Sequence, residues 1–362
     1  MINSLQIKNF RSLENFQLND LSRINLLVGK NNSGKTSILE AIALLQSDIN
    51  IQQTLDEILA VRYELSGTEK NEFNPVIFFT NFNIIPQKSK IFIKADAQKS
   101  SKTLGIFIVL NKDNLGQSIR SSMELSFQWN TTKFITDNQP NTSYIESTFP
   151  ILNATVKTSE AKYIVPKKSL VFDFQERVTR DEIFVTTNFF LRSNLISLYK
   201  RISATNLEKQ VIKILQSLEP EIEDLAIGVN DFVVKLTNID RQIHIGSLGD
   251  GIYRLLGLAL AMVNVKNGIL LVDEIDTGLH YTAMDDMWKM IWQTANDLNV
   301  QVFATTHSSD CWKSLAEFAG TFDKPNDGIA IHYIDKKREH SISYSEEEMM
   351  IAAEEDYEVR GV

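Results

Sequence analysis

The chain has 362 residues, of which 43% are hydrophobic and 23% are charged, as is typical of a soluble globular protein with one large domain or a few smaller ones. It has no apolar run near the ~18 residues that span a membrane, and its first residues lack the basic start and apolar core of a signal peptide. The single cysteine, Cys311, excludes an internal disulfide framework and predicts a cytoplasmic location, while the net charge of −9 excludes a uniformly basic nucleic-acid-binding protein but not a local basic patch.

The first 28 residues have the pattern of two or three short strands. Leu5 and Ile7 alternate with polar residues, the run from Lys8 to Ser12 breaks the alternation, and Asn19-Asp20 predicts a turn. The apolar run Ile24-Asn-Leu-Leu-Val28 then predicts a buried strand that leads directly into a glycine-containing loop.

That loop, Gly29-Lys-Asn-Asn-Ser-Gly34-Lys35-Thr36, has the pattern G-x-x-x-x-G-K-[ST] of a phosphate-binding P-loop. Apolar residues at helical spacing follow it and predict a helix that ends near Asp48. Because a strand precedes the loop and a helix follows it, we favour a P-loop over a glycine turn with a chance lysine. In this pattern Lys35 reaches the β- and γ-phosphates and Thr36 ligates Mg²⁺. The predicted nucleotide-binding residues of this segment are Gly29, Lys30, Asn31, Asn32, Ser33, Gly34, Lys35, Thr36 and Ser37.

A second helix is predicted at about 51–66, and an antiparallel β-rich insertion at about 76–186. Polar stretches at 130–132 and 137–143 are expected to separate the strands. Five lysines lie between Lys88 and Lys102, with only Asp96 to balance them. These lysines can contact nucleic-acid phosphates, but we favour a solvated strand edge. The β-type runs of the insertion are 76–79, 91–93, 105–110, 123–129, 154–156, 163–165 and 169–174.

Helices return after about residue 187. One of them shares an apolar face from Leu207 to Leu218, and Thr205 and Glu208 are spaced as a capping box at its start. A second capping box, at Ser345, predicts a short acidic helix that packs Met349 and Met350 on the body of the protein.

The segment Ser247-Leu-Gly-Asp-Gly251 precedes another apolar helix. Its small residues and the helix N-terminus form a second anion-binding surface, which one triphosphate in one chain does not need. If this surface faces a nucleotide held by another copy, a dimer follows. A plain helix cap is the alternative.

Two further strands end in polar residues. Ile269-Leu-Leu-Val272 is followed by Asp273 and Glu274, which suits a Walker B pair in which Asp273 holds Mg²⁺ and Glu274 acts on a water molecule. Val302-Phe-Ala-Thr305 leads to His307 at a strand end where α/β proteins bind ligands. We favour a γ-phosphate sensor at His307 over a structural histidine.

Together, Gly29–Thr36, Ser247–Gly251, Leu271–His280 and Thr305–Ser308 resemble an ABC-type ATPase head, and specifically the stand-alone ATPases of the OLD/RecF/SMC-like branch. The run from Lys8 to Ser12 is similar to the opening strand of that branch. The resemblance implies an α/β P-loop NTPase fold with a mixed sheet core, an antiparallel β-rich lobe and a helical signature lobe. It implies one domain over 1–362, with a P-loop lobe at 1–186 and a signature lobe at 187–362.

The resemblance also implies roles for individual residues. Ser247 and Gly249 become the signature contacts to the γ-phosphate of the opposite subunit, and Asp276 the D-loop aspartate. His307 becomes the switch histidine, and Arg11 and Ser12 become neighbours of the nucleotide. Lys35, Glu274 and His307 are thus the expected catalytic residues, with Thr36 and Asp273 as the metal ligands.

Two departures from the family pattern, and two domains or arms that the sequence does not predict, narrow the family. The signature segment, Ser247–Gly251, differs from the form found in membrane transporters. No Q-loop glutamine is evident, although Gln87 and the stretch 78–83 are candidates for that loop. No long heptad stretch predicts a coiled-coil arm. The roughly 55 residues after His307 are too few for the Toprim nuclease domain of OLD-type proteins.

We therefore expect an ATPase that dimerises around two Mg·ATP and acts through a separately encoded effector, such as a Toprim-type nuclease in anti-phage defence. A nucleotide-gated DNA clamp with little turnover is the second hypothesis, with residues 88–102 facing the DNA. A third, that the chain is itself a nuclease, is not favoured because the sequence offers no further metal-carboxylate cluster.

Overall fold

The computed structural model describes residues 1–47, 51–61, 78–80, 90–115, 118–134, 140–155, 182–203, 205, 207–229, 231–321 and 328–355. Among these residues, no helix is both long and apolar enough to span a bilayer. The strands are β1 (Ile2–Phe10), β2 (Leu13–Leu18), β3 (Ile24–Val28), β4 (Lys90–Ala97), β5 (Ser100–Leu115), β6 (Ser118–Phe134), β7 (Pro140–Thr155), β8 (Glu182–Val185), β9 (Ile222–Ile227), β10 (Phe232–Leu236), β11 (Ile243–His244), β12 (Ile269–Val272), β13 (Gln301–Thr305), β14 (Ile329–Tyr333) and β15 (Ile342–Tyr344). The helices are α1 (Lys35–Ser47), α2 (Ile51–Val61), α3 (Arg192–Ile202), α4 (Leu207–Gln216), α5 (Asp250–Asn264), α6 (Met284–Leu298), α7 (Ser309–Ala319) and α8 (Glu346–Glu354).

A mixed six-stranded sheet forms the centre of the fold, in the order β15-β14-β3-β13-β12-β8. All its neighbouring strands run parallel except β15, which pairs antiparallel with β14. Every residue of β3, β12 and β13 is buried, as expected for parallel strands covered on both faces. Because these strands are parallel, the residues that follow each of them lie at one edge of the sheet. The predicted mixed sheet core is confirmed.

A second six-stranded sheet is antiparallel, in the order β2-β1-β4-β5-β6-β7. One face of this sheet packs on α1 and buries Leu5, Ile7 and Phe127, and the indole Nε1 of Trp129 donates to the Leu44 carbonyl at 3.1 Å. The other face is solvated and carries Lys90 and Lys94. This alternation of buried and solvated residues is typical of antiparallel sheets, and the predicted antiparallel β-rich region is confirmed.

Two details of the predicted β-region were wrong. Residues 130–132 do not separate strands but lie inside β6, and β7 begins at Pro140, within the predicted polar stretch 137–143. Long strands tolerate polar residues on their solvated face, so polarity alone did not mark a loop. Residues 78–80 form a short turn and an isolated bridge from Phe79 to Phe10. The runs 163–165 and 169–174 lie outside the described residues.

The predicted strand edge at residues 88–102 was also wrong. Strand β4 is an interior strand, paired with β1 on one side and β5 on the other. Lys94 forms an exposed salt bridge with Asp96 at 2.8 Å, and Lys102 donates to Gln46 of α1 at 3.4 Å. Lys88 lies outside the described residues.

The region after residue 187 contains the predicted helices and a sheet that the sequence analysis missed. Strands β11-β10-β9 form a small antiparallel sheet beside α3 and α4. The capping box at Ser345 is confirmed, and Met349 is buried. At the start of α4, Thr205 accepts a hydrogen bond from the Leu207 amide, whereas the Glu208 carboxylate accepts one from the Tyr199 hydroxyl. The central sheet takes strands from both sides of residue 186, and the division into two lobes there stays a prediction.

Arg11 lies in the turn between β1 and β2 and forms a buried ion pair with α1. Its Nε is 2.6 Å from Oε2 of Glu40, and the two side chains are 7% and 0% exposed. The guanidinium carbon lies 5.1 Å from the ring centroid of Phe78, and the Arg11 amide donates to the Phe78 carbonyl at 2.8 Å. The ion pair therefore ties the β1–β2 turn to the helix that follows the P-loop. The predicted place of Arg11 beside a nucleotide stays a prediction.

Replacing Arg11 by Met should lower the free energy of unfolding by roughly 3–5 kcal/mol, because it leaves the Glu40 carboxylate buried without its cation. The double variant Arg11→Met/Glu40→Leu should recover much of that loss. Urea denaturation measures both, and Lys94→Met, which breaks the exposed pair with Asp96, should cost about 1 kcal/mol or less. An Arg11→Met loss no larger than that of Lys94→Met would contradict the prediction.

Candidate functional site

The candidate site lies at the edge of the central sheet where β3, β12 and β13 end. The P-loop follows β3, Asp273 and Glu274 follow β12, and His307 follows β13 after one intervening residue, Thr306. The three strands are parallel and adjacent in the order β3-β13-β12, so the segments that follow them lie side by side at one edge of the sheet. This is the edge at which open α/β sheets bind ligands.

The P-loop backbone needs its two glycines. Gly29 has φ = 147°, and a Cβ there would lie 2.4 Å from the Ile334 carbonyl oxygen. Gly34 has φ = 108°, and its Cβ would lie 2.8 Å from a methyl of Leu13. Both positions are closed to side chains by conformation and by contact. Ser12 adjoins the same turn, with its Oγ 3.3 Å from the Cβ position of Gly34.

Lys35 is a buried cation at the first position of α1. Its Nζ donates to the Gly29 carbonyl at 2.8 Å and to the Lys30 carbonyl at 3.0 Å, and lies 3.4 Å from Nδ1 of His307. Burial lowers the pKa of Lys35 to about 8, against the opposing attraction of Asp273 and Glu274. The ammonium group is therefore poorly solvated, and additional negative charge would stabilise it.

His307 lies beside that ammonium group. Burial, and then the charge of Lys35, lower the pKa of His307 below its ordinary value, so its ring is neutral at pH 7. A neutral ring nitrogen can accept the hydrogen bond from Lys35, and the other ring nitrogen is then a donor.

The Asp273 carboxylate joins residues from three segments. It accepts hydrogen bonds from the Thr36 hydroxyl at 3.1 and 3.2 Å and from the Thr305 hydroxyl at 2.7 Å. Thr36 and Asp273 were predicted to share a Mg²⁺ ion, which stays a prediction, and Thr305 was not predicted. The only sequence signal for Thr305 was its place as the last residue of the strand beside β12. Within the described residues, no group of three or more His, Cys, Asp or Glu side chains is arranged to hold a metal ion. Thr36 and Asp273 instead offer the mixed hydroxyl and carboxylate oxygens that suit Mg²⁺ when phosphate and water complete its shell.

Glu274 is exposed and has a left-handed backbone with φ = 50°. Its amide donates to the Thr305 hydroxyl at 2.8 Å, and its carboxylate accepts from the Thr277 hydroxyl at 3.1 Å. Its carbonyl accepts from Nη2 of Arg254 at 2.9 Å. The backbone of Glu274 is thus fixed on both sides while its carboxylate remains open to solvent.

Asp276 lies two residues beyond Glu274 and accepts a hydrogen bond from the segment that follows β13. Its Oδ1 accepts from the Thr306 hydroxyl at 2.6 Å, and that hydroxyl in turn accepts from the Ser308 amide at 2.9 Å. The segment after β12 is therefore tied to the segment that carries His307.

Ser247 and Gly249 are exposed at the start of α5. Gly249 has φ = 103°, and a Cβ there would have open space around it. No hydrogen bond joins either residue to the P-loop among the described contacts, so one chain assembles Lys35, Thr36, Asp273 and His307 but leaves Ser247 and Gly249 outside that cluster. Gln87 lies outside the described residues. The functional roles of all these residues stay predictions.

The chain is similar to an ATPase family, to a nucleotide phosphatase and to a DNA repair protein. A family model described as an AAA ATPase domain matches residues 1–311. An ATP/GTP phosphatase of Helicobacter pylori is 23% identical over 330 residues, covering 86% of each chain. The DNA replication and repair protein RecF of Clostridioides difficile is 24% identical over 283 residues, covering 76% of this chain and 63% of that protein. An SMC head domain from Thermotoga maritima is 12% identical, with a TM-score of 0.43 over 95% of this chain and 98% of that one. The predicted family resemblance is confirmed, and the chain belongs to the AAA ATPase domain family.

Proposed function

We propose that the protein is an ATP-hydrolysing molecular switch. The observation that carries this proposal is the convergence of Lys35, Thr36 and Asp273 at one sheet edge, with the Thr36 hydroxyl 3.1 Å from the Asp273 carboxylate. A buried ammonium group beside paired hydroxyl and carboxylate oxygens suits a triphosphate with its divalent cation. Membership of an ATPase family and the likeness to an ATP/GTP phosphatase support the same proposal.

Each residue of the site has a proposed role. The P-loop backbone from Gly29 to Ser37 holds the phosphates, and Lys35 neutralises negative charge that develops as the γ-phosphate leaves. Thr36 and Asp273 would hold Mg²⁺, which supplies further charge neutralisation when bound. Glu274 orients a water molecule and accepts its proton. His307 donates to the γ-phosphate.

Two copies complete the site in this proposal. Ser247 and Gly249 are exposed and lie outside the cluster of their own chain, which supports a role against the nucleotide of a second copy. The N-terminus of α5 adds favourable partial positive charge there. A homodimer would enclose two nucleotides, with Asp276 near the shared interface.

The biological role proposed is that of a cytoplasmic regulatory ATPase that acts through a separately encoded effector, such as a Toprim-type nuclease in DNA-related or anti-phage defence. A nucleotide-gated DNA clamp or scaffold with little turnover is the alternative. Its supporting observation is the solvated sheet face that presents Lys8, Lys90 and Lys94. ATP-dependent, salt-sensitive retention of DNA without phosphate release would favour the clamp.

The variant Glu274→Gln should trap the ATP-bound dimer, because it removes the carboxylate that accepts the proton of water. Light scattering with Mg·ATP should give a molecular mass of about twice the 41.2 kDa of the monomer. The dimeric fraction should be larger for this variant than for the wild type. Steady-state phosphate release should fall by roughly 100-fold or more. The matched control is Glu317→Gln, on the exposed surface of α7, which should behave as the wild type. Wild-type turnover in Glu274→Gln would refute the assigned role.

Binding of Mg·ATP should take up protons at pH 8. Because the pKa of Lys35 is lowered to about 8, about half of the chains lack that proton at pH 8 and about a tenth lack it at pH 7. Phosphate oxygens near Nζ favour the charged form and raise this pKa. Calorimetry in two buffers of different ionisation enthalpy should therefore measure an uptake near half a proton at pH 8 and much less at pH 7. Equal uptake at both pH values would contradict the lowered pKa, and Lys35→Arg should remove the difference.

A further inference from the structure

Arg254 connects the start of α5 with the segment that follows β12. Its Nη2 donates to the Glu274 carbonyl at 2.9 Å, and its Cδ lies 3.9 Å from the Cβ position of Gly278. One helical turn earlier, the Cβ position of Gly251 lies 3.8 Å from Leu279. The first turns of α5 therefore pack directly on the segment that contains Glu274 and Asp276.

The side chain of Arg254 packs on an aromatic ring. Its guanidinium carbon lies 4.3 Å from the ring centroid of Phe190, a distance typical of a cation–π contact. The Phe190 ring also packs closely on Gly257, where a Cβ would lie only 2.6 Å from a ring carbon. Burial lowers the pKa of Arg254, and nearby Asp276 and Glu274 oppose that shift. An arginine side chain keeps its charge under these conditions.

The backbone of Glu274 needs such a partner. A non-glycine residue with φ = 50° adopts a sparsely populated conformation that persists only where its surroundings fix it. The Glu274 amide is fixed by the Thr305 hydroxyl, and its carbonyl is fixed by Arg254. The Thr305 hydroxyl also donates to Asp273, so it connects the Glu274 backbone to the proposed metal ligand. Arg254 belongs to α5, whose first two residues, Asp250 and Gly251, are the end of the Ser247–Gly251 segment.

We propose that Arg254 is a positioning residue that holds Glu274 in its hydrolytic orientation and couples the Ser247–Gly251 segment to it. Contact of that segment with an anion would shift the start of α5, and the hydrogen bond from Arg254 would transmit the shift to the Glu274 backbone. The side chain of Glu274 would then face the water molecule only when the segment is engaged. This inference rests on the proposed function, because it takes Glu274 as the residue that acts on water.

The test compares Arg254→Met with the same substitution at Arg23. Arg23 also donates to backbone carbonyls, those of Ala295 and Val300 at 3.2 and 3.4 Å, but it lies before β3, at the opposite edge of the central sheet. For the full-length chain, we would measure the affinity for a fluorescent ATP analogue, the melting temperature and single-turnover ATP hydrolysis. Each variant is made in the wild-type background and in the Glu274→Gln background.

Arg254→Met should lower the hydrolysis rate about 100-fold, the size of effect expected when a reacting group is misplaced by about 1 Å. Its affinity for the analogue should stay within about threefold of the wild type, and Arg23→Met should hydrolyse ATP within about threefold of the wild type. In the Glu274→Gln background, Arg254→Met should have almost no further effect, because residues that act as one unit are not additive. Arg254→Lys keeps the charge but loses the cation–π contact of the guanidinium group with Phe190, and should give an intermediate hydrolysis rate. This variant replaces Arg254→Met if Arg254→Met fails to fold.

Two results would overturn the inference. One is an equal fold-loss of hydrolysis from Arg254→Met in both backgrounds, which would mean that Arg254 acts independently of Glu274. The other is hydrolysis in Arg254→Met, or in Arg254→Lys where that variant replaces it, no slower than in Arg23→Met. Failure of the proposed function is distinct, since the wild type would then hydrolyse no ATP or Glu274→Gln would hydrolyse as fast as the wild type.

Discussion

The Asp273 carboxylate is the interaction on which the site depends. It accepts hydrogen bonds from Thr36 at the start of α1 and from Thr305 at the end of β13, and so joins the ends of three neighbouring strands. The sheet register makes this possible, since Val272 pairs with Ala304 and Ala304 pairs with Leu26. A slip of one residue between β12 and β13 would turn Asp273 and Thr305 towards opposite faces of the sheet and separate their oxygens.

Beside that carboxylate, the chain places the ammonium group of Lys35 where water solvates it poorly. Lys35 is buried between two backbone carbonyls and a neutral imidazole, and its ammonium group is stabilised less than it would be in water. A site that lowers the pKa of its own lysine favours an anionic ligand, because the negative charge of the ligand offsets the cost of desolvating the ammonium group. The same site separates its two acids by environment: Asp273 is half-buried and accepts from the hydroxyl groups of Thr36 and Thr305, whereas Glu274 is exposed and accepts from that of Thr277.

Local patterns in the sequence predicted the parts of the structure that local rules control. The P-loop, the buried strands β3, β12 and β13, and the capping box at Ser345 were all evident from residues close together in the chain. Contacts between residues distant in the sequence were not evident. Arg11 forms an ion pair with Glu40, and Arg254 donates to the Glu274 carbonyl, although nothing in the sequence around either arginine indicates its partner. The small sheet β9–β11 was missed because its strands are short and β9 carries consecutive acidic residues, which hide the alternation. The lysines of β4 were placed at an edge because composition does not reveal which strands pair.

The position of β3 in the central sheet has a consequence for biosynthesis. Residues Ile24–Val28 lie between β13 and β14, which are made roughly 280 and 305 residues later. An apolar strand made early therefore waits for both neighbours until most of the chain has left the ribosome, and a nascent chain cannot complete the nucleotide site before then. Such non-local pairing slows folding and leaves an unpaired strand edge exposed to aggregation. The antiparallel sheet of β1 and β2 has no such delay for its first pair, and offers an early surface on which α1 can pack. Nascent chains of this protein would thus need protection by chaperones mainly during the interval in which β3 has been made and β13 has not.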